Sequence, residues 1–194
     1  MTKKVKILAF AGSTRKDSFN KKLVKLAAKG AEDAGAEVTV IDLKDYPMPL
    51  YDGDDEAATG LPDKAKELKK MMQESDGFLI ATPEYNSGYS AVLKNAFDWV
   101  SRKSDPAEAG LSAFTGKVAV LMSTSPGALG GLRGLYQLRE MLQNVNTIVL
   151  PQMQAVGQAG SAFDENGQLK DEKTAKSVAG LGATLAKTLQ KLNP

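Results

Sequence analysis

The sequence predicts an α/β fold, a three-layer sandwich whose five-stranded parallel sheet is covered by helices on both faces. Short β-prone runs alternate along the chain with segments in which apolar residues recur at helical spacing. Several of the runs are apolar throughout, which is typical of strands buried on both faces. Regular alternation of strand and helix implies right-handed crossovers and therefore a parallel sheet. The strand order expected for this class is 2-1-3-4-5.

The N-terminal part of the chain contains two predicted strands. The first covers residues 4–10 (KVKILAF) and ends at a turn that contains Gly12. Apolar residues three and four apart then predict the first helix. Residues 37–43 (EVTVIDL) form the second predicted strand. Residues 46–62 are rich in proline and glycine, and we expect them to form a long loop.

The middle of the chain contains two more strands, each preceded by a helix. The helix predicted at residues 63–75 has its leucine and methionines on one side, and it leads into a strand at residues 77–82 (GFLIAT) that ends at Pro83. An amphipathic helix at residues 91–102 precedes the fourth strand at residues 117–123 (KVAVLMS).

The C-terminal part completes the alternation. A helix is predicted at residues 132–144, a short fifth strand at 147–150, a loop at 152–167 and a final amphipathic helix at 171–192. The chain shows no internal repeat or low-complexity segment. All 194 residues are therefore expected to form a single domain.

Composition excludes several classes of function. The net charge of +2 is spread along the chain, without the concentrated basic face and interleaved aromatics of a nucleic-acid-binding protein. No apolar run approaches the roughly 20 residues that span a bilayer, so we expect a cytoplasmic protein without a membrane partner. The chain has no cysteine and no histidine, which removes thiol chemistry, the usual acid–base residue and the commonest metal ligand. We therefore expect no metal site.

The ligand site is expected where the strand order reverses, outside the carboxyl ends of strands one, three and four. Three segments follow these strands: the first turn (residues 12–20), the second turn (residues 83–89) and the third turn (residues 123–131). Any bound molecule should contact them.

The first turn, GSTRKDSFN, has the groups that a phosphate requires. Free backbone N–H groups and the dipole of the following helix favour an anion, and a guanidinium can pair with it. The patterns GxxxxGK[ST] and GxGxxG are absent, which favours a monophosphate. The alternative is that Ser18 merely caps the helix and Arg15 is solvated. The polar candidates are Ser13, Thr14, Arg15, Ser18 and Asn20.

The second turn begins with Pro83, Glu84, Tyr85 and Asn86, which suit a flat heterocycle. Its backbone groups can bind the polar edge of such a ring, while the aromatic side chain and the proline limit its position. The alternative is a plain polar turn with Asn86 in a left-handed conformation. No histidine or second carboxylate is evident as a partner for Glu84, so we interpret it as a structural or binding residue.

The third turn is built from small residues that allow backbone to approach a ligand closely. It starts at Ser123, contains Gly130 and Gly131, and is followed by Arg133 near a helix start. A plain flexible loop is the alternative interpretation. Asp42, at the end of strand two, resembles the acidic ribose-binding residue of dinucleotide folds, but without GxGxxG a surface role is favoured.

Taken together, the turns resemble those of the NADPH-dependent FMN reductase family, which includes bacterial quinone and chromate reductases. The first turn matches the family pattern GSxRxxSxN, the second matches PEYN, and residues 93–99 match the following LKNAxDW. The likeness covers most of the chain. It departs mainly at residues 103–116, an insertion-like loop, and in the third turn.

The resemblance implies a flavodoxin-like fold that binds FMN. It implies that the phosphate lies among the first-turn residues and that the flavin ring lies along the second turn, with the third turn approaching it. Residues 48–52 (MPLYD) resemble a family loop that borders the active site and the subunit contact, and a homodimer or homotetramer is implied. The cofactor-binding residues expected on this basis are Ser13, Arg15, Ser18, Phe19, Asn20, Pro83, Glu84, Tyr85, Asn86 and Ser123.

The activity implied is that of an NAD(P)H-dependent FMN or quinone reductase. A hydride would pass from NAD(P)H to FMN, and then electrons would pass to a small acceptor such as a quinone, free flavin, azo compound or metal oxyanion, in a ping-pong sequence. No catalytic side chain is expected. One alternative is a flavodoxin-type electron carrier, which a pI near 8.6 disfavours. The other is a flavin-free interaction domain on the same fold.

Overall fold

The computed structural model describes residues 4–192. A five-stranded sheet forms its centre, and all its strand pairs are parallel. The elements in chain order are β1 (Lys6–Ala11), α1 (Phe19–Asp33), β2 (Glu37–Asp42), α2 (Gly53–Thr59), α3 (Asp63–Glu74), β3 (Gly77–Ala81), β4 (Glu84–Tyr85), β5 (Gly88–Tyr89), α4 (Ala91–Val100), β6 (Val118–Thr124), α5 (Leu132–Asn144), β7 (Ile148–Val156), α6 (Ala159–Ala162) and α7 (Glu172–Leu192).

The order of the strands in the sheet is β2-β1-β3-β6-β7. This confirms the predicted order 2-1-3-4-5, since β4 and β5 form a separate small hairpin. The three central strands are buried almost completely, as their continuous hydrophobicity predicted. The carboxyl ends of β1, β3 and β6 therefore meet at one edge of the sheet.

Alternate residues of the central strands supply two separate cores. On β1, Ile7 and Ala9 pack against α1 and α7, while Leu8 and Phe10 pack against the layer that contains α3, α4 and α5. In the second core the ring of Phe97 meets Phe10 edge to face at 6.2 Å. The three-layer sandwich is thus confirmed, with helices on both faces.

The two helices on the first face lie backbone to backbone. Gly30 of α1 faces the carbonyl of Ala179, and Gly182 of α7 faces the carbonyl of Ala27. A Cβ at either glycine would overlap these carbonyls. Two glycines in helix interiors, which are otherwise unfavourable, thereby allow α1 and α7 to approach closely.

Two loop predictions and one strand prediction were incomplete or wrong. Residues 46–62 contain the short helix α2, which Asp52 caps by accepting a hydrogen bond from the Asp54 N–H at 2.8 Å. The fifth strand does not end at residue 150: β7 runs through Pro151 to Val156, and α6 follows it. An edge strand with a bulge tolerates proline, and the β6–β7 register shifts between Ala119 and Leu121.

Residues 103–116 are attached to the rest of the structure by a buried ion pair. The Lys69 ammonium, 3% exposed, contacts Glu108 Oε2 at 2.6 Å and donates to the Arg102 carbonyl at 2.5 Å. Glu108 also accepts from the Gln73 side chain at 2.6 Å. Although burial opposes ionisation, the hydrogen bonds from the Lys69 ammonium, the Ser112 hydroxyl and the Ser104 N–H, together with the charge of Lys69, lower the pKa of Glu108 to about 2.

Within residues 4–192, no helix combines the length and the apolar character that crossing a membrane requires.

Candidate cofactor-binding site

The first, second and third turns lie side by side at the carboxyl ends of β1, β3 and β6. The Gly12 N–H donates to the Ala81 carbonyl at 2.8 Å, and the Thr82 N–H donates to the Met122 carbonyl at 3.0 Å. These bonds continue the parallel pairing for one residue beyond the end of β1 and one residue beyond the end of β3. All ten residues predicted to bind a cofactor lie in or next to these turns.

Position 12 requires glycine because neighbouring side chains leave no room for a Cβ atom. A Cβ there would lie 2.9 Å from Ser90 Oγ and 3.0 Å from Thr82 Oγ1. The Ser90 hydroxyl donates to the Gly12 carbonyl at 2.6 Å and also caps α4, accepting from the Leu93 N–H at 3.4 Å. Ser90 thus joins the second turn to the first. Sequence reasoning missed it, although a serine just before a helix is a common cap.

The first turn has the donor set that a phosphate monoester requires. Ser18 begins α1 but makes no side-chain capping hydrogen bond, so the first N–H groups of this helix have no side-chain partner there. The first turn of α1 also contains no acidic residue. Within residues 4–192, the exposed Arg15 guanidinium forms neither a hydrogen bond nor an ion pair. Ser13 is buried, and its Oγ accepts only a long 3.4 Å bond from the Arg15 N–H.

Phe19 has a packing role in this structure. Its ring stacks on that of Phe163, with centroids 5.4 Å apart and planes 24° from parallel, and the Lys22 ammonium lies 5.4 Å from its centroid. Since the ring is occupied by these neighbours, any contact of Phe19 with a phosphate would come from its backbone N–H at the start of α1.

Asn20 connects the first turn to the third. Its side-chain Nδ2 donates to the Thr124 carbonyl, and its Oδ1 accepts from the Thr124 N–H, both at 3.0 Å. Both residues are buried. This reciprocal pair holds the end of β6 against the start of α1.

The second turn is a tight hairpin formed by β4 and β5. Asn86 and Ser87 both have positive φ, 51° and 70°, which is the backbone of the two-residue turns favoured in hairpins. Pro83 is buried beneath the hairpin, whereas Tyr85 is 53% exposed. The hairpin therefore presents an aromatic ring and backbone groups at the sheet edge.

Glu84 is committed to the start of α5. Its carboxylate accepts from the Arg133 backbone N–H at 3.1 Å, from the Gly134 N–H at 3.3 Å and from the Arg133 guanidinium at 2.5 and 2.8 Å. Burial alone would raise the pKa of Glu84, but these bonds outweigh it and lower that pKa. Glu84 is thus an ionised carboxylate that joins the second turn to the helix after the third.

The third turn is tightly folded. The buried Ser123 hydroxyl donates to the Gly130 carbonyl at 2.6 Å, across the turn. Gly131, with φ of 91°, has a conformation that L residues rarely adopt, and a Cβ there would lie 2.8 Å from Ser123 Oγ. The Ser125 N–H also donates to the Val156 carbonyl at 3.3 Å. While this bond persists, the Ser123 hydroxyl is not available as a hydrogen-bond donor to a ligand.

A cavity of about 430 Å³ lies between the start of α1 and the end of β2, with Ala11 at the end of β1 in its lining. Lys21 and Asp42 line it and pair with each other at 2.5 Å, and Asp42 also accepts from the Lys44 N–H. The Asp42 carboxylate therefore binds other protein groups, which is consistent with the surface role favoured over ribose binding for this residue.

The similarity of this chain to known proteins establishes its family. The family model described as NADPH-dependent FMN reductase matches residues 5–161. An NAD(P)H-dependent FMN reductase of Pseudomonas aeruginosa is 33% identical over 180 residues, which is 92% of this chain and 91% of that protein. A quinone reductase of Escherichia coli is 30% identical over 195 residues, 99% of both chains.

A solved structure agrees with these relatives. The flavoenzyme NAD(P)H:(acceptor) oxidoreductase of Paracoccus denitrificans superposes with a TM-score of 0.78 at 32% identity, over 96% of this chain and 98% of that one. The family match covers most of the chain and includes all three turns. The chain therefore belongs to the NADPH-dependent FMN reductase family.

Proposed function

We propose that this protein is an NAD(P)H-dependent FMN reductase that delivers electrons to quinones and similar small acceptors. The observation that carries the proposal is the first turn, where Arg15 and the uncapped start of α1 stand beside the second and third turns at one sheet edge. The family match supports FMN as the group held there.

The proposed roles of the residues follow from their free groups. Arg15, the Ser18 hydroxyl and the first N–H groups of α1 would hold the phosphate as charge-assisted donors, with Ser13 beside them. Backbone groups of residues 83–86 would bind the polar edge of the flavin ring, and Tyr85 would limit the space beside it. The third turn would form the opposite wall through its backbone.

FMN, when bound, would supply the redox chemistry that carries electrons from NAD(P)H to the acceptor. The side chains bind, orient and exclude water. Glu84 does not act as a proton donor in this proposal, because it is ionised and its oxygens already accept four hydrogen bonds. With no histidine or cysteine in the chain, we propose no catalytic side chain.

A steady-state assay tests this activity. The FMN-loaded protein is mixed with NADH or NADPH and a benzoquinone, and the rate is compared with that of the same protein stripped of flavin. Flavin-dependent turnover is expected, with parallel double-reciprocal plots if NADP⁺ leaves before the acceptor enters. Converging plots would contradict the ping-pong order. The absence of turnover, with FMN bound, would favour an electron carrier instead.

We also propose that the protein forms a homodimer or homotetramer. Two large apolar side chains are exposed on the face that carries α4 and α5: Leu50 (82%) and Tyr136 (58%). Leu50 lies in the segment attached to α4, since the Trp99 indole and the Asn95 amide both donate to the Pro49 carbonyl at 2.8 Å. Exposed apolar side chains of this size favour a protein contact.

Light scattering on a gel-filtration column tests the assembly. The wild-type protein is expected at two or four times its chain mass of 20.6 kDa, and Leu50→Asp or Tyr136→Asp at a lower mass. A wild-type monomer would contradict the proposal. A cytoplasmic location stays a prediction, to be checked by cell fractionation.

A further inference from the structure

We infer that the side chain of Asn20 is a positioning group that fixes the third turn against the flavin ring, and that this side chain does not serve as a ligand of the cofactor phosphate. This inference rests on the proposed function, because it presumes that FMN lies across the three turns. It differs from the expectation that the whole GSxRxxSxN pattern surrounds the phosphate.

The hydrogen bonds of Asn20 carry the inference. Its Oδ1 and one N–H of its amide are used in the reciprocal pair with the Thr124 backbone, at 3.0 Å each. Only one N–H is left, on a side chain that is 4% exposed. The Arg15 side chain, in contrast, is exposed, and within residues 4–192 its guanidinium donates to no protein group. Within the first turn, the Arg15 side chain is therefore free to bind an anion, whereas the Asn20 side chain binds the Thr124 backbone.

The third turn depends on this anchor. Thr124 follows Ser123 at the start of the turn, where the chain leaves the sheet. Its hydroxyl donates to the Val156 carbonyl of β7 at 2.8 Å, and its backbone N–H and carbonyl are bound by Asn20. The Asn20 pair therefore helps to fix the point where the turn leaves the sheet. The other end is held where Arg133 meets Glu84. Loss of the Asn20 pair would leave a buried N–H and a buried carbonyl of Thr124 unsatisfied, which is costly unless the backbone moves.

A displaced third turn and a lost phosphate contact have different signatures. Riboflavin carries the same ring as FMN but no phosphate. If Asn20 positions the wall of the ring site, its removal weakens both flavins by the same factor. If Asn20 binds the phosphate, its removal weakens FMN alone. The ratio of the two affinities therefore separates the roles.

The experiment measures dissociation constants for FMN and riboflavin by flavin fluorescence quenching, with wild type, Asn20→Ala and Arg15→Ala. Asn20→Leu keeps most of the side-chain volume without either bond and serves if Asn20→Ala fails to fold. We expect the Asn20 variants to bind each flavin about tenfold more weakly, about 1.4 kcal/mol, with an unchanged ratio. Arg15→Ala should lose affinity for FMN and keep it for riboflavin.

The visible spectrum of FMN bound at saturation provides a second measurement, which decides the case if wild type binds riboflavin too weakly to titrate. A shifted flavin band in the Asn20 variants, absent in Arg15→Ala, is expected. Selective loss of FMN affinity with an unshifted band would overturn the inference, and so would unchanged binding of both flavins. Failure of wild type to bind either flavin would instead overturn the proposed function.

Discussion

Glu84 and Arg133, 49 residues apart in the chain, form an ion pair at 2.5 Å that ties the second turn to the start of α5. The Glu84 side chain is 8% exposed, while that of Arg133 is 60% exposed. The carboxylate is the buried partner and also accepts the first N–H groups of α5. With Asn20–Thr124 and Ser90–Gly12, this contact completes a set of hydrogen bonds that joins each turn to the other two.

Glu84→Gln should therefore weaken FMN binding, although the side chain has no free group for the ligand. A glutamine amide places N–H groups where the carboxylate accepts from the Arg133 and Gly134 N–H groups, so the hairpin must shift. Loss of a charged hydrogen bond costs about 1.5–3 kcal/mol, and we expect the Kd for FMN to rise at least about tenfold. Fluorescence titration provides the measurement.

Glu108→Gln is the matched control for this prediction. Glu108 also accepts several hydrogen bonds, but from residues that precede β3 and β6, at the opposite end of the sheet. Glu108→Gln should therefore leave the affinity for FMN unchanged. Equal effects of the two substitutions on FMN affinity would show that Glu84 acts only through general stability.

Arg15→Ala should weaken FMN binding by roughly 1.5–3 kcal/mol, because one charge-assisted contact with the phosphate is lost. Lys16→Ala, at the exposed neighbouring position, provides the control for a general loss of positive charge. The two Kd values are compared at low and moderate salt, since a screened, long-range effect would fade with salt. An FMN affinity that does not change would remove Arg15 from the site.

The buried pair of Lys69 and Glu108 predicts a loss of stability in acid. Because the folded pKa of Glu108, about 2, lies below the unfolded value near 4.5, its contribution is present above pH 4.5 and disappears as pH falls towards 2. The shift corresponds to at most about 3 kcal/mol. Denaturant unfolding between pH 7 and pH 2.5 should therefore show a smaller acid-dependent decrease for Glu108→Gln. An identical pH dependence in wild type and variant would contradict this.

The close approach of α1 and α7 predicts opposite effects for two glycines of one helix. Gly182→Ala should destabilise the fold by about 1–3 kcal/mol or more, since its Cβ would overlap the Ala27 carbonyl. Gly180→Ala places its Cβ in open space and should stabilise the helix by up to about 1 kcal/mol. Urea unfolding of both variants measures the difference. Destabilisation by Gly180→Ala would refute the packing argument.

The parallel sheet was predictable because it follows from local patterns, while the strand order and the place expected for the site follow from the class of fold. Apolar runs such as that of β6 are typical of central strands, and a parallel doubly wound sheet places its ligand at the carboxyl ends. The sequence also contains start and stop signals for α2. Aspartate at position 52 is a good helix cap, and glycine at position 60 suits the end of the helix, where its φ is 70°. The proline-rich surroundings concealed this signal.

The roles of individual side chains in the turns were not predictable from spacing. Asn20 fits a phosphate motif, yet its amide bonds to Thr124, 104 residues away. Glu84 shows no partner in its own segment, because that partner begins a helix almost 50 residues later. The extension of β7 past Pro151 likewise depends on its place at the sheet edge, which only the tertiary structure determines.

FMN binding and its reduction by NADPH are tested most directly by the visible spectrum of the purified protein, supplied with FMN if colourless, before and after anaerobic addition of NADPH. We expect an oxidised flavin spectrum that bleaches with NADPH and returns when a benzoquinone is added. A protein that stays colourless after incubation with FMN, or a bound flavin that NADPH fails to bleach, would contradict the proposed function.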